Sequence, residues 1–191
     1  MKSAQPTREK ILDEVFKLVY IHGYNGTSMS MILLACEIPK GSLYHFFTSK
    51  KEMVLAVLRE RIAPRMDAFY HFEAREGQHA IDTIIDAVLK VVQKEELVRY
   101  GCPLNRLNQE MSPVDGDFEA AIHTIYKHIK HKIVLLLQKS ALQEGVDAES
   151  LAEYIIASVW GSLSLSPVQS SKERYLSSVA HLINYLQTLK K

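Results

Sequence analysis

The strongest structural signal in this chain is the run Ile38-Pro39-Lys40-Gly41-Ser42-Leu43-Tyr44-His45-Phe46-Phe47. Helical spacing allows three of its apolar residues, Leu43, Phe46 and Phe47, to face a protein core. The other side chains then lie on the outside, and they are Lys40, Gly41, Ser42, Tyr44 and His45. Glycine permits close approach to another surface, lysine reaches a phosphate or a guanine, and a tyrosine hydroxyl donates to a phosphate. The run therefore predicts the recognition helix of a helix-turn-helix.

Capping signals place this run within a cluster of short helices. Thr7 is expected to cap a first helix that stops at Gly23, and Ser28 to cap a short second helix. Ser49 and Glu52 form a capping-box pattern at the start of a long fourth helix. Because the second and third helices are joined by a tight connection, the cluster matches a helix-turn-helix.

Helical periodicity continues along the rest of the chain. Apolar stripes predict helices that begin near residues 81, 103, 118, 147 and 170. Gly145 is expected to end the long helix that begins near residue 118, and Asp147 to cap the next one. Ser170 and Glu173 repeat the capping-box pattern before the last helix. With about nine helices and no segment that alternates like a strand, the predicted fold class is all-α.

Length and composition exclude several classes of protein. The 191 residues are 47% hydrophobic, which suits a packed core, and the two cysteines are too few for a disulfide scaffold. The uncharged segments 18–36 and 154–171 are as long as a membrane span, but their Gly, Asn, Ser and Pro residues argue against one. The polar N-terminus shows no secretory signal, so we expect a cytoplasmic protein.

The distribution of charge is more informative than its total of +1. Residues 1–51 carry seven Lys and Arg against four Asp and Glu, a net charge of +3, and the remainder carries −2. The positive excess therefore lies on the part of the chain that contains the predicted recognition helix, which supports contact with nucleic acid.

Residues 7–52 resemble the DNA-binding domain of TetR-type bacterial transcriptional regulators. The residues that carry the resemblance are Gly23-Tyr24, Thr27-Ser28, Ile32, Lys40-Gly41-Ser42-Leu43-Tyr44-His45-Phe46-Phe47 and Ser49-Lys50-Lys51-Glu52. The resemblance implies a DNA-binding domain over residues 1–52 and a helical ligand-binding and dimerisation domain over residues 53–191.

The resemblance also implies a set of DNA contacts. Ser28 and Ser30 would meet phosphates, Tyr44 would hold a phosphate, and Lys50 would anchor the DNA backbone. The residues expected to face the major groove are Lys40, Gly41, Ser42 and His45. Two positions depart from the family pattern: Glu37 stands where the family commonly has Gly in the turn, and Pro39 stands where it commonly has a capping Ser. The Glu37 carboxylate would repel phosphates and change the docking of the helix.

For the remainder of the chain, the resemblance implies a homodimer formed by the last two helices, over about 147–165 and 171–190. Such a dimer binds a pseudo-palindromic operator. A small-molecule effector in the body would release it, with the long helix from Lys50 transmitting the change and Pro64 as a point of kinking. A repressor is the favoured function, with a transcriptional activator as the alternative.

The predicted effector pocket lies among the helices of the body. Its candidate polar and aromatic residues are Cys102, Asn105, Asn108, Gln109, Tyr126, Tyr154 and Trp160. Cys102 is interpreted either as a pocket-lining residue or as a thiol that senses an oxidant or electrophile, because a following helix N-terminus and Arg106 would favour its thiolate. His128 and His131 have a spacing that a metal could use, but their lysine neighbours disfavour a cation, so no metal or cofactor is expected.

Two other functions remain open at this point. A helical enzyme is disfavoured because the chain lacks Gly-x-Ser-x-Gly, P-loop, His-Glu-x-x-His and Cys-x-x-Cys motifs. A helix-turn-helix that has lost DNA binding and acts as an interaction module is the other, and the charge of Glu37 makes it conceivable.

Overall fold

A computed structural model describes residues 4–72, 76–165 and 171–191. The helices in this part of the chain are α1 (Ala4–Gly26), α2 (Met29–Cys36), α3 (Lys40–Phe46), α4 (Lys50–Val57), α5 (Ala63–Phe69), α6 (Ala80–Lys90), α7 (Glu95–Tyr100), α8 (Pro103–Met111), α9 (Gly116–Leu137), α10 (Ala148–Leu165) and α11 (Ser171–Thr188). A π-helical turn (Leu58–Ile62) joins α4 to α5, and a 3₁₀ turn (Val91–Gln93) follows α6. The described residues contain no strand beyond one isolated bridge between Leu142 and Lys190. The predicted all-α fold is confirmed.

The chain divides into two compact units, and the first comprises Met1–Arg65 and Pro103–Ile125. Its core is built from the apolar stripes of α1 to α4 and α8. The side chains that are fully buried there include Ile11, Leu12, Val15, Ile32, Leu43, Met53 and Leu104. Burial of these stripes, rather than helix propensity, holds helices as short as α2 and α3 in place, because isolated helices of that length are unstable in water.

The caps of this first unit follow the sequence in most places. Thr7 lies inside α1 rather than at its cap, because that helix already begins at Ala4, so the predicted cap is wrong. Gly23, with φ 79°, interrupts the helical backbone as expected, and a further turn carries α1 to Gly26. The Ser28 hydroxyl accepts from the Met31 amide and caps α2, which confirms that prediction.

The capping-box pattern at the start of α4 is present in a shifted form. The Ser49 hydroxyl accepts from the Glu52 amide at 3.1 Å. The Glu52 carboxylate reaches one residue farther back than a standard box and accepts from both the amide and the hydroxyl of Thr48, each at 2.7 Å. These bonds hold the pKa of Glu52 below its ordinary value.

The long helix predicted from Lys50 changes its winding before Pro64. The π-helical turn precedes the proline, and the Ala63 amide donates to the Leu58 carbonyl across it. Proline has no amide hydrogen to donate, so a helix must relax its hydrogen-bond pattern near one, and a single π turn is a common way of doing so.

The second unit comprises Met66–Cys102 and Tyr126–Lys191. The fully buried Tyr175 of α11 donates its hydroxyl to the Val88 carbonyl of α6 at 3.0 Å, so the one polar atom of that ring is satisfied within the core. The helix α9 ends at Leu137 and not near Gly145, as the sequence suggested, because Gly145 occupies a left-handed turn of its own at φ 83°. Asp147 caps α10 through the Ser150 amide at 2.8 Å, as predicted, and Ser170 lies outside the described residues.

None of the helices in the described residues combines the length and the apolar character that crossing a membrane requires.

Glu37 has an unusual backbone conformation. It ends α2 with φ 54°, the one non-glycine residue in the described part of the chain with a positive φ. The left-handed region costs an ordinary residue roughly 1–2 kcal/mol because Cβ approaches the following carbonyl oxygen. The carboxylate lies 3.2 Å from the Lys10 ammonium, but both groups are largely exposed, so this ion pair offsets little of the cost.

We expect Glu37→Gly to be more stable than Glu37→Ala by about 1 kcal/mol, because only glycine removes the left-handed strain. Both variants lose the ion pair with Lys10, so the comparison isolates the backbone effect. Chemical denaturation of the two purified proteins measures it. Equal unfolding free energies would show that the left-handed conformation carries no strain here.

Candidate nucleic-acid interface

The exposed side of α3 brings together five residues that the sequence singled out. Leu43 and Phe47 are buried and Phe46 is half-buried, so the apolar side of the helix faces the core as predicted. The residues that remain exposed are Lys40, Gly41, Ser42, Tyr44 and His45. No Asp or Glu occurs from Ile38 to Lys51, so this surface is free of the acidic side chains that would repel a phosphate.

Local hydrogen bonds fix where α3 begins. Pro39, at φ −59° and ψ 145°, precedes the first helical residue, and its carbonyl accepts from the amides of Ser42 and Leu43. Proline suits this place because it sets φ without requiring a donor. The departure at Pro39 from the family pattern therefore leaves the helix intact.

Gly41 has open space around its α-carbon. A β-carbon built at that position meets no atom of the protein within 4 Å, and the backbone there is helical. Nothing within the described protein therefore requires glycine, which costs helix stability relative to alanine. The open space leaves room for another molecule to approach the backbone closely at this position.

Ser28 and Ser30 lie together at the exposed N-terminal turn of α2. Their hydroxyl oxygens are 2.8 Å apart, and the Ser28 hydroxyl also accepts from the Met31 amide. Behind them, the fully buried Thr27 donates its hydroxyl to the Gly23 carbonyl at 2.7 Å and orients the turn that precedes α2.

The positive charge of this part of the chain is largely paired within the protein. Arg8 bonds Glu60 through both of its terminal nitrogens, and Lys51 bonds Asp115 and Asp117 at 2.7 and 2.8 Å. Among the described residues from 4 to 52, Lys40 is the one Lys or Arg with neither an ion pair nor a hydrogen bond. Its ammonium lies 5.8 Å from the centroid of the Tyr44 ring, so it remains available to a phosphate or a base edge.

Lys50 faces the protein. Its ammonium donates to the carbonyls of Tyr24 at 2.9 Å and Thr27 at 3.0 Å, and it lies 4.2 Å from the centroid of the Tyr24 ring. The side chain that the resemblance assigned to the DNA backbone therefore holds the turn between α1 and α2.

Glu110 was missed in the sequence. Its two carboxylate oxygens accept from the consecutive amides of Tyr24 and Asn25, both at 2.7 Å. The signal that could have found it is the glycine at position 23, which leaves room for a side chain against the backbone. No spacing rule connects residues 24 and 110, because their contact is tertiary.

The candidate effector residues fall in both units. In the first unit, Asn105 is buried, Asn108 accepts from the Ser112 hydroxyl at 2.9 Å, and Gln109 is exposed. In the second unit, Cys102 is a buried free thiol, and the Tyr126 and Trp160 rings meet edge to face at 5.9 Å.

Tyr154 lies apart from that aromatic pair. It is 48% exposed and packs against Tyr185 of α11, with ring centroids 5.5 Å apart. Its surroundings are therefore the outer surface of α10 and α11.

The buried indole nitrogen of Trp160, in the second unit, makes no hydrogen bond of standard geometry among the described residues, and the Tyr70 hydroxyl lies within interaction distance of it. The buried Tyr70 hydroxyl lies near this indole and near the Cys102 thiol, and burial raises the pKa of Tyr70 so that it stays protonated. A buried indole donor that is not fully satisfied is uncommon in native proteins.

No group of three or more metal-binding side chains occurs among the residues that the structure describes. The His128 ring nitrogen lies 2.8 Å from the Asp67 carboxylate, which also receives the Lys132 ammonium. These contacts hold the pKa of Asp67 below its ordinary value.

Comparison with known proteins gives matches over most of the chain. Residues 11–57 match bacterial regulatory proteins of the tetR family, and residues 78–181 match the LmrA/YxaF-like transcriptional regulator C-terminal domain. An HTH-type transcriptional regulator of Lactococcus lactis subsp. lactis is 31% identical over 85% of this chain and 84% of its own. The HTH-type transcriptional repressor NemR of Escherichia coli K12 is 26% identical over 95% and 94%. The crystal structure of a TetR transcriptional regulator from Chloroflexus aurantiacus J-10-FL aligns with 99% of this chain and 98% of its own, at a TM-score of 0.85 and 26% identity.

We expect Gly41→Ala to separate folding from DNA binding. The substitution meets no atom of the protein, so the free energy of unfolding should stay the same or rise by up to about 1 kcal/mol. The added methyl group would stand between α3 and a groove, and affinity for the target DNA should fall on the order of tenfold. Thermal denaturation and a DNA titration on the same preparation measure the two effects, and unchanged affinity would remove Gly41 from the interface.

Proposed function

We propose that this chain is a homodimeric repressor that a small molecule releases from its operator. The chain belongs to the TetR family of bacterial regulatory proteins, and as a member of that family it is a helix-turn-helix transcriptional regulator and not an enzyme. The observation that carries the DNA-binding part is the exposed, acid-free surface of α3, with an unpaired Lys40 and an unobstructed Gly41.

In this proposal α3 enters the major groove. Lys40, Gly41, Ser42 and His45 face base edges, and the Tyr44 hydroxyl reaches a phosphate. Ser28 and Ser30 meet the phosphates on the other side of the turn, because both hydroxyls are exposed at the start of α2. The Lys10 ammonium reduces the repulsion from Glu37, and Lys50 contributes by holding the turn between α1 and α2.

The proposed division of labour assigns DNA binding to residues 1–52 and effector binding and dimerisation to residues 53–191. The dimer is proposed to form through α10 and α11, which pack against each other with the Ser162 and Ser178 hydroxyls 2.8 Å apart. Large apolar side chains that stay exposed on these two helices are Tyr154, Leu165, Leu176 and Tyr185. Gly161, which is exposed with no atom within 4 Å of a built β-carbon, allows a second copy to approach closely. Burial of these side chains in a two-fold interface would stabilise the dimer.

The effector is proposed to bind beside Trp160, Tyr70, Cys102 and Tyr126 in the second unit. The Trp160 indole offers a buried donor, and Tyr70 offers a protonated hydroxyl. No Asp, Glu, Lys, Arg or His side chain is buried among the described residues, so an ionised effector would lose its hydration without a counter-charge. These groups therefore favour a neutral aromatic molecule that carries a hydrogen-bond acceptor such as a carbonyl oxygen.

Cys102 is proposed to line this site rather than to act as a redox sensor. Its thiol is buried. Reactive cysteines are usually accessible and lie near positive charge. A cytoplasmic location is part of the proposal, since operator DNA is found there.

The function is tested by a gel shift with DNA from beside the chain's own gene, repeated over a series of salt concentrations. We expect one specific complex whose logarithmic affinity falls linearly with logarithmic salt, with a slope of about −0.9 for each phosphate contact. Competitor DNA of unrelated sequence should not displace it. A protein that leaves the fragment unshifted at low salt would instead be an interaction module.

Gly161→Arg tests the proposed dimer interface. The arginine should keep two copies apart, so sedimentation should show a monomer and operator affinity should fall on the order of 100-fold because both half-sites are no longer linked. Gln138→Arg, an exposed position at the end of α9, adds the same charge and should remain dimeric. A Gly161→Arg protein that stays dimeric would place the interface elsewhere.

Effector binding is tested by the fluorescence of Trp160, the single tryptophan of the chain. Titration of this emission should give a dissociation constant for a neutral aromatic ketone such as acetonaphthone that is at least tenfold lower than the one for naphthoate, its carboxylate counterpart. The reason is that burial of a charge is costly. Tyr70→Phe should weaken binding of the ketone on the order of fivefold through loss of one hydrogen bond, whereas Tyr44→Phe in the DNA-binding helix should leave that binding unchanged. Equal binding of ketone and carboxylate would contradict the proposed site.

A further inference from the structure

The Glu110 carboxylate of α8 accepts two hydrogen bonds from the backbone in the last turn of α1. Its Oε2 accepts from the Tyr24 amide and its Oε1 from the Asn25 amide, both at 2.7 Å. Hydrogen bonds from amides to a carboxylate are among the stronger ones in proteins, and two of them on consecutive amides fix both position and orientation. Residues 24, 25 and 110 all belong to the first compact unit.

Gly23 is adapted to this contact. Its φ of 79° directs the following two amides away from the axis of α1, and a β-carbon there would lie 2.8 Å from the Glu110 Oε2. Any side chain at position 23 would therefore be strained and would also displace the carboxylate. The backbone of α1 and the side chain of α8 fit each other at this point.

The same peptide segment is held from its other side. The Tyr24 amide donates to Glu110, and the Tyr24 carbonyl accepts from the Lys50 ammonium at 2.9 Å. The Thr27 carbonyl also accepts from Lys50, and Thr27 is followed by Ser28, the cap of α2. The start of α2 is thus set by a carboxylate on α8 and an ammonium on α4.

Further contacts join this region to α8 and to the start of α9. The Arg106 guanidinium donates to the Ile21 carbonyl, and the Tyr24 ring meets the Phe118 ring edge to face at 5.3 Å. Lys51 bonds Asp115 and Asp117 between α8 and the first turn of α9. Among these contacts, the Glu110 pair is the one that acts directly on the backbone of the turn before α2.

We propose that Glu110 is a positioning residue that couples α8 to the DNA-reading helices through the Tyr24 and Asn25 amides. A displacement of α8 moves the turn at residues 23–28, and with it α2 and α3. Because α8 begins at the residue after Cys102, a change at the effector site has a short covalent path to this contact. The inference rests on the proposed function, since it assigns the route by which that site would act on DNA binding.

Coupling between two sites is reciprocal. If the position of α8 influences DNA binding, then DNA binding must restrict α8, and this half of the relation can be measured without a known effector. Amide hydrogen exchange reports it, because exchange slows where local opening becomes less favourable.

The experiment measures hydrogen exchange by mass spectrometry for the full-length protein, free and saturated with its upstream DNA fragment. In the wild type, we expect DNA to slow exchange in peptides from α3 and also in peptides that cover residues 103–111. In Glu110→Gln, one of the two backbone amides keeps an acceptor oxygen and the other faces the side-chain NH2 group, which cannot accept. Operator affinity should fall on the order of tenfold, and the slowing in α8 should be lost while that in α3 persists at saturation.

Glu119→Gln is the matched control, since Glu119 is an exposed acid on α9 within the same unit. Removal of an acidic charge alone should leave DNA affinity unchanged or raise it, so charge cannot account for a loss in Glu110→Gln. Glu110→Asp keeps the charge but withdraws the carboxylate by one methylene, and it should reproduce the loss of α8 protection should Glu110→Gln not fold.

The two proposals fail in different ways. A wild-type protein that does not bind the fragment overturns the proposed function. A wild type that binds, together with a folded Glu110 variant that keeps its affinity within twofold and its α8 protection, overturns the coupling through Glu110. A purely structural role predicts faster exchange of α1 in the free variant with α8 still protected by DNA, which also overturns it.

Discussion

The peptide unit at Tyr24 is the point on which the DNA-reading part of the molecule depends. Its amide is held by a carboxylate and its carbonyl by an ammonium, and the positive φ of Gly23 makes both accessible. The six residues 23–28, from the last turn of α1 to the cap of α2, would otherwise have several conformations available, each with a different direction for α2. Hydrogen bonds to charged groups select one of them, so α3, which has only seven residues, inherits its position from contacts outside itself.

The charge distribution acquires a different meaning in the folded protein. The net charge of +3 on residues 1–51 suggested a cationic surface. In the folded protein, however, Arg8 and Lys51 form ion pairs with carboxylates and Lys50 donates to backbone carbonyls. What distinguishes α3 is the absence of acids along residues 38–51 together with one unpaired lysine. A surface of this kind contributes little non-specific attraction to DNA, and it leaves recognition to short-range contacts.

Much of the fold and part of the site follow from local sequence, and the remainder depends on contacts between distant residues. Ser28, Asp147 and the inward side of α3 were predictable because caps and helical periodicity involve residues within one turn of each other. The start of α1 at Ala4, before the expected cap, was not predictable from these local patterns. The end of α9 at Leu137 was not predictable either, because the glycine at position 145 marks a turn farther along the chain. The contact of Glu110 and the inward direction of Lys50 could not be predicted from local sequence, because their partners lie 86 and 26 residues away along the chain.

The contacts of Glu110 and Lys50 with Tyr24 also bear on how a regulator of this kind could be released from DNA. A hydrogen bond of 2.7 Å is lost once its atoms separate beyond about 3.5 Å, so a displacement of α8 by less than about 1 Å is enough to free the Asn25 and Tyr24 amides. Of the two charged side chains, Lys50 would then still hold the turn, from the side of α4. Under the proposed coupling, the DNA-reading helices are positioned through both α4 and α8, so an effector need not bend the long helix to act. A small shift of α8 would then change which of the two helices sets the direction of α2.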